Sequence, residues 1–137
     1  MSMQKLSWDQ SYSVGVAELD SHHQELFKLL NHFLDLAGKD YKSEVVTEAL
    51  TKMTQYACLH LDREEELLRE HGYPNFAGHK EQHARYKAKT VELCMGLMAG
   101  KSDTPAEIGS FLRDWWNGHV LKNDMEYKSF LNEKGVR

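Results

Sequence analysis

Along much of the chain, residues of one inward-facing class recur in alternating steps of four and three, the spacing of one face of an α-helix. Met53, Ala57, His60, Glu64, Leu67 and His71 form one such series, and Phe76, His79, His83, Tyr86, Thr90, Leu93 and Leu97 another. A stripe this narrow is the inward seam of helices packed antiparallel in a bundle. Punctuation residues divide the pattern into four helices. The first runs from about Asp20 to Ala37 and stops at Gly38. The second starts at Ser43, a good N-cap, and stops at Gly72, a good glycine for a left-handed helix end. After "GYPN", Asn75 can cap a third helix that lasts to about Gly100. Thr104 can cap a fourth, with Pro105 at its first position, that continues to about Glu133. With short connections these make an all-α, up-down-up-down antiparallel four-helix bundle. Residues 1–18 carry aromatics and Gly15 but no helical period, and are expected to form an ordered N-terminal arm over a bundle of residues 19–133, all one domain spanning 1–137.

Composition narrows the function classes. The 41% hydrophobic and 28% charged residues suit a water-soluble globular domain. Net charge is −4 with acidic and basic residues interspersed, so the basic patch of a nucleic-acid binder is missing. No run approaches the roughly 18 apolar residues of a membrane span. Met1 to Trp8 lacks the apolar core of a secretory signal. A cytoplasmic protein is expected, with Cys58 and Cys94 reduced, inert and at least partly buried. The composition departs from the ordinary in its eight histidines, where roughly three would be usual for this length.

Those histidines sit where leucine would be expected. His60, Glu64, His79 and His83 occupy seam positions, and a buried carboxylate costs several kcal/mol unless paired or coordinated. His/Glu and His/His pairs at i, i+4 on two facing helices can aim four ligand atoms into one interior, a set suited to iron, zinc or manganese. His71 shares the seam but lies two turns beyond Glu64, about 10.5 Å along the axis. At the last turn before Gly72 it is better explained by the helix dipole. In the first helix periodicity leaves two candidates: His22 falls in line with Leu26, Leu29 and Phe33, and His23 with Phe27, Leu30 and Leu34. His32 should face solvent. In the fourth helix His119 and Asp124 stand five residues apart, about 140° around an ideal α-helix, and spacing alone does not pair them.

Taken in order, W8-D9-x-x-Y12-S13-V14-G15, D20-x-x-H23-x-x-L26-F27, H60-x-x-x-E64-E65, Y73-P74, H79-x-x-x-H83 and H119-x-x-x-x-D124-x-x-Y127 resemble the hemerythrins, bacterial ones in particular, over nearly the whole chain. The resemblance implies two iron ions in a non-haem di-iron centre held by His23, His60, Glu64, His79, His83, His119 and Asp124. His79, His83 and His119 would bind one iron and His23 and His60 the other, with Glu64, Asp124 and an oxo or hydroxo group bridging. With six-coordinate irons, that count leaves one position for dioxygen as ligand. It further implies reversible dioxygen binding rather than enzymatic turnover, for storage, transport or delivery to an oxygen-consuming enzyme, by a monomer. A di-iron enzyme handling peroxide or nitric oxide, and a sensor of oxygen, redox state or iron, are the alternative uses of the same residues. Leu26, Leu61, Trp115 and Leu121 are candidates to line the dioxygen pocket, and Glu65 is a candidate to support the centre from outside. The chain departs from the common pattern at Leu61, where phenylalanine is usual, and at Gly118 and Val120, where asparagine and isoleucine are frequent. None of these is a ligand position, but each bears on pocket volume.

Overall fold

A computed structural model describes residues 5–38, 43–100 and 104–137, with backbone alone at 43 and 104. The caps expected at Ser43 and Thr104 lie outside the described side chains. The described residues form an all-helical bundle of α1 (Ala17–Ala37), α2 (Ser43–Glu70), α3 (Phe76–Met98) and α4 (Thr104–Gly118). The fourth helix does not run on uniformly to Glu133. It widens into a π turn at His119–Asn123, tightens into a 3-10 turn at Asp124–Tyr127, and ends as a short helix, α5 (Lys128–Glu133).

Local chemistry accounts for the boundaries. After Glu70, Gly72 adopts φ +72° and the Tyr73 N–H donates to the Leu68 carbonyl at 2.9 Å, the closure of a helix end that favours glycine. Asn75 precedes α3, but its side chain makes no capping bond. Its carbonyl accepts the His79 N–H at 3.0 Å, the ordinary first bond of the helix. The first helix begins earlier than the periodicity suggests, at Ala17. Asp20 explains this: its carboxylate accepts the Val14 N–H at 2.8 Å and the Ser13 hydroxyl at 2.6 Å, turning the arm directly into the helix.

The arm is tied down along its described length. Asn31 accepts the Leu6 N–H and donates back to the Leu6 carbonyl, at 2.8 and 2.7 Å. The Tyr12 hydroxyl donates to Asn117 at 2.6 Å. Gly15 sits at φ +71° with its carbonyl accepting from Asn132, and a Cβ there would lie 2.7 Å from the Asn132 oxygen. No other residue type fits that crossing without strain.

The apolar core falls into two clusters with a polar layer between them. The larger includes Leu26, Leu30, Phe33, Met53, Ala57, Leu61, Tyr86, Leu112, Trp116 and Val120. The smaller is Val14, Val16, Leu19, Leu67, Leu68, Tyr127 and Leu131. Each helix passes from one cluster to the other, and the residues at each crossing are His23, His60 with Glu64, His79 with His83, and His119 with Asp124, all buried. Cys58 is exposed, contrary to the burial expected for it, because it points away from the seam carried by its neighbour Ala57; Cys94 is half-buried and both thiols are free. No helix among the described residues is long and apolar enough to cross a membrane.

Candidate metal centre

Desolvation makes this layer informative. Five imidazoles and two carboxylates lie within 3% of full burial. Ligand atoms of Glu64, His79, His83, His119 and Asp124 all lie within 4.8 Å of one another, and so do those of His23, His60, Glu64 and Asp124. The two groups share both carboxylates. The first holds three imidazoles and the second two. All seven residues singled out in the sequence are therefore in the layer, while His22 and His71 are outside both groups and His32 is exposed.

The π turn resolves the awkward spacing in the last helical stretch. Its hydrogen bond runs from the Asp124 N–H to the His119 carbonyl, five residues back, so residues five apart stack on one face instead of diverging. His119 Nε2 consequently stands 2.9 Å from Asp124 Oδ1. A π turn of this kind commonly marks a functional site, and here it brings two donor side chains to one point.

Several contacts are those of donors converging on a point, not of a hydrogen-bonded network. His23 Nε2 and His60 Nε2 are 3.1 Å apart, and His83 Nε2 and His119 Nε2 3.2 Å. Asp124 Oδ2 lies 3.2 Å from His23 Nε2, yet neither Asp124 oxygen accepts a properly directed hydrogen bond. Buried carboxylate oxygens left without donors are costly, and lone pairs aimed at shared points suit cations. Nitrogen-rich donors with two shared carboxylates fit a pair of borderline transition-metal ions such as iron.

Titration behaviour follows the same division. Burial pushes the Glu64 carboxyl up, but contacts with His119, His60, His79 and His83 outweigh it and hold the group well below the usual carboxylate range. Burial and the Glu64 charge push Asp124 up, and His119 and His23 pull it down further. Burial lowers His79 and His119, yet the two carboxylates overcome it and raise them to about 10 and about 9. His60, by contrast, is kept below its ordinary value by burial. Without metal, the carboxylates are balanced by protons on the imidazoles that face them most closely.

Outside the donors, specific groups hold the layer. The Tyr127 hydroxyl donates to Glu64 Oε2 at 2.8 Å, and burial with the two nearby carboxylates keeps that phenol protonated. The His83 Nδ1–H donates to Glu65 Oε2 at 2.9 Å, which fixes the tautomer with Nε2 facing inward. His71 donates from Nδ1 to the Leu67 carbonyl at 2.8 Å, as a helix-end residue does. The candidate pocket residues divide. Leu26 and Leu61 are fully buried, whereas Leu121, inside the π turn, is 40% exposed. Trp115 is half-buried and stacks on His119 at 4.2 Å, while Trp116, which periodicity did not single out, lies 5.9 Å from the His60 ring. Trp116 and Val120 are both fully buried. The signal for Trp116 was the four-residue step Ile108, Leu112, Trp116 and Val120, all fully buried.

An antiparallel helical bundle with histidines and shared carboxylates at its waist defines a metal-binding bundle protein. The sequence profile described as "Hemerythrin HHE cation binding domain" matches residues 14–131. The chain belongs to the hemerythrin family and is similar to its bacterial members. It is 30% identical to the bacteriohemerythrin of Stenotrophomonas maltophilia, covering 96% of this chain and 87% of that one. It is 33% identical to a hemerythrin-like protein of Naegleria gruberi, covering 91% and 92%. A crystal structure of wild-type hemerythrin superposes with a TM-score of 0.84 at 25% identity, covering 90% of this chain and 95% of that one.

Proposed function

We propose that this protein binds dioxygen reversibly at a non-haem di-iron centre held by His23, His60, Glu64, His79, His83, His119 and Asp124, for storage, transport or delivery to an oxygen-consuming enzyme. The observation that carries the reading is the pair of donor groups sharing Glu64 and Asp124, with three imidazoles on one side and two on the other. Two iron(II) ions held there supply the electrons that make dioxygen uptake favourable and reversible. The rest is the work of the chain. Two carboxylates offset part of the charge of two cations, and five neutral imidazoles leave the remainder uncompensated. Tyr127 holds one Glu64 oxygen, which keeps that carboxylate from swinging. Glu65 keeps His83 in the metal-ready tautomer. The apolar cluster ending at Leu26, Leu61, Trp116 and Val120 borders the two-imidazole side and excludes water, which opposes loss of reduced oxygen species and oxidation of the irons.

The test is dioxygen uptake by the anaerobically reduced, iron-loaded protein, followed with an oxygen electrode. One dioxygen should be taken up per two irons and recovered when the gas phase is exchanged for argon. Continuous consumption without recovery would instead identify an oxidase or a redox sensor.

A further inference from the structure

An imidazole that offers one nitrogen to a cation keeps its proton on the other, and that proton needs an acceptor. On the three-imidazole side, His83 gives its outer proton to the Glu65 carboxylate. On the two-imidazole side the arrangement differs. His60 Nε2 faces the donor layer, 3.4 Å from Glu64 Oε2, so its hydrogen belongs on Nδ1. That atom is 3.0 Å from Nδ1 of His22. The rings meet edge-on, 5.2 Å apart at 89°, and Tyr56 also packs edge-on against His22 at 6.0 Å. His23 Nδ1 is buried without a hydrogen-bond partner. The His22–His60 bond is therefore the outer-nitrogen support that this pair of imidazoles has among the described residues.

We propose that His22 is a positioning residue for the two-imidazole half of the centre: its Nδ1 lone pair accepts the His60 Nδ1–H, fixing the His60 tautomer and ring plane so that Nε2 faces the metal. The inference rests on the di-iron reading and deepens it by giving the two irons unlike supports. One half is backed by a carboxylate, which strengthens an imidazole as a donor. The other is backed by an uncharged ring, which strengthens it less. The two-imidazole half, where the donor count leaves the free position, is thereby the less electron-rich one.

The experiment compares the full chain with His22→Ala and His22→Gln, the second keeping an uncharged acceptor. Iron release to a chelator should be biphasic in His22→Ala, with one of the two irons held about 10–100-fold more weakly and the other unchanged. His22→Gln should restore most of the loss. Wild-type retention in His22→Ala would overturn the proposal, and so would equal weakening of both irons, the mark of a merely structural role. Independently of any variant, histidine 15N–1H spectra of the wild-type chain loaded with zinc alone should show a slowly exchanging proton on His60 Nδ1. A proton that exchanges freely, or is absent from Nδ1, would also overturn it. Failure of the wild-type chain to take up two irons would overturn the di-iron reading and this one with it. Normal uptake with an unaffected His22→Ala variant would overturn this one alone.

Discussion

At the scale of single residues, the layer is ordered from outside as much as from within. Tyr127 was legible in the sequence only as part of a motif, because a phenol three residues after Asp124 does not announce which carboxylate it serves. The structure gives it Glu64 Oε2 at 2.8 Å. Tyr127→Phe removes a bond to a charged acceptor, and the metal-free protein should lose about 1.5–3 kcal/mol, read as a shift in urea midpoint at unchanged slope. His71→Ala should cost much less and leave iron content at the wild-type level, since among the described residues the His71 ring bonds the Leu67 carbonyl and no donor of the layer. His22 shows where residue patterns run out. Periodicity placed it and His23 on equally apolar stripes, and both stripes do pack inward, with Leu26, Phe27, Leu30, Phe33 and Leu34 all buried. The buried face of α1 is simply broader than one seam, so a rim histidine and a central one look alike until neighbouring helices are in place.

Among the elements, α2 and α3 were readable because their donors repeat at helical spacing, while the last helical stretch was not. A sequence gives no sign that five residues will be wound into a π turn, and on an ideal α-helix His119 and Asp124 would diverge. The turn is therefore a working part of the site. Deleting the exposed Lys122 should convert it to ordinary α-helix with His119 and Asp124 four residues apart, about 40° around the axis, so that both donors stay on one face. Metal analysis should then still find two irons per chain. Loss of either would show that the wider turn does more than restore the register. The helix ends follow simpler rules, and Gly72 and Gly38 fall where expected because a helix stop depends on local conformation. Asn75 stands at the expected N-cap position of the third helix, but its side chain makes no capping bond.

For the whole molecule, two apolar clusters flank a charged waist, and stability and metal loading are coupled through protons. In the metal-free protein His79 and His119 titrate near 10 and 9 instead of 6.5. Because these values are raised, the stability they contribute is fully present below about pH 6.5 and is lost as pH rises through 9 to 10. Glu64 and Asp124 are lowered, so their contribution is present above their ordinary values of 4.5 and 3.8 and is lost on acidification. Metal binding must displace the imidazole protons, so loading at neutral pH should release about two protons per chain and strengthen with pH. Calorimetry in buffers of different ionisation enthalpy measures this, and no release would mean the imidazoles are already neutral. Bound iron should in turn raise the melting temperature, with about 2.7 kcal/mol gained at free metal 100-fold above Kd. Reversibility is tested most directly by an optical titration of the anaerobically reduced, iron-loaded protein with dioxygen. Near-ultraviolet and visible bands should grow to saturation and vanish on deoxygenation over repeated cycles. Bands that appear once and then bleach irreversibly would mean that dioxygen is consumed and not carried.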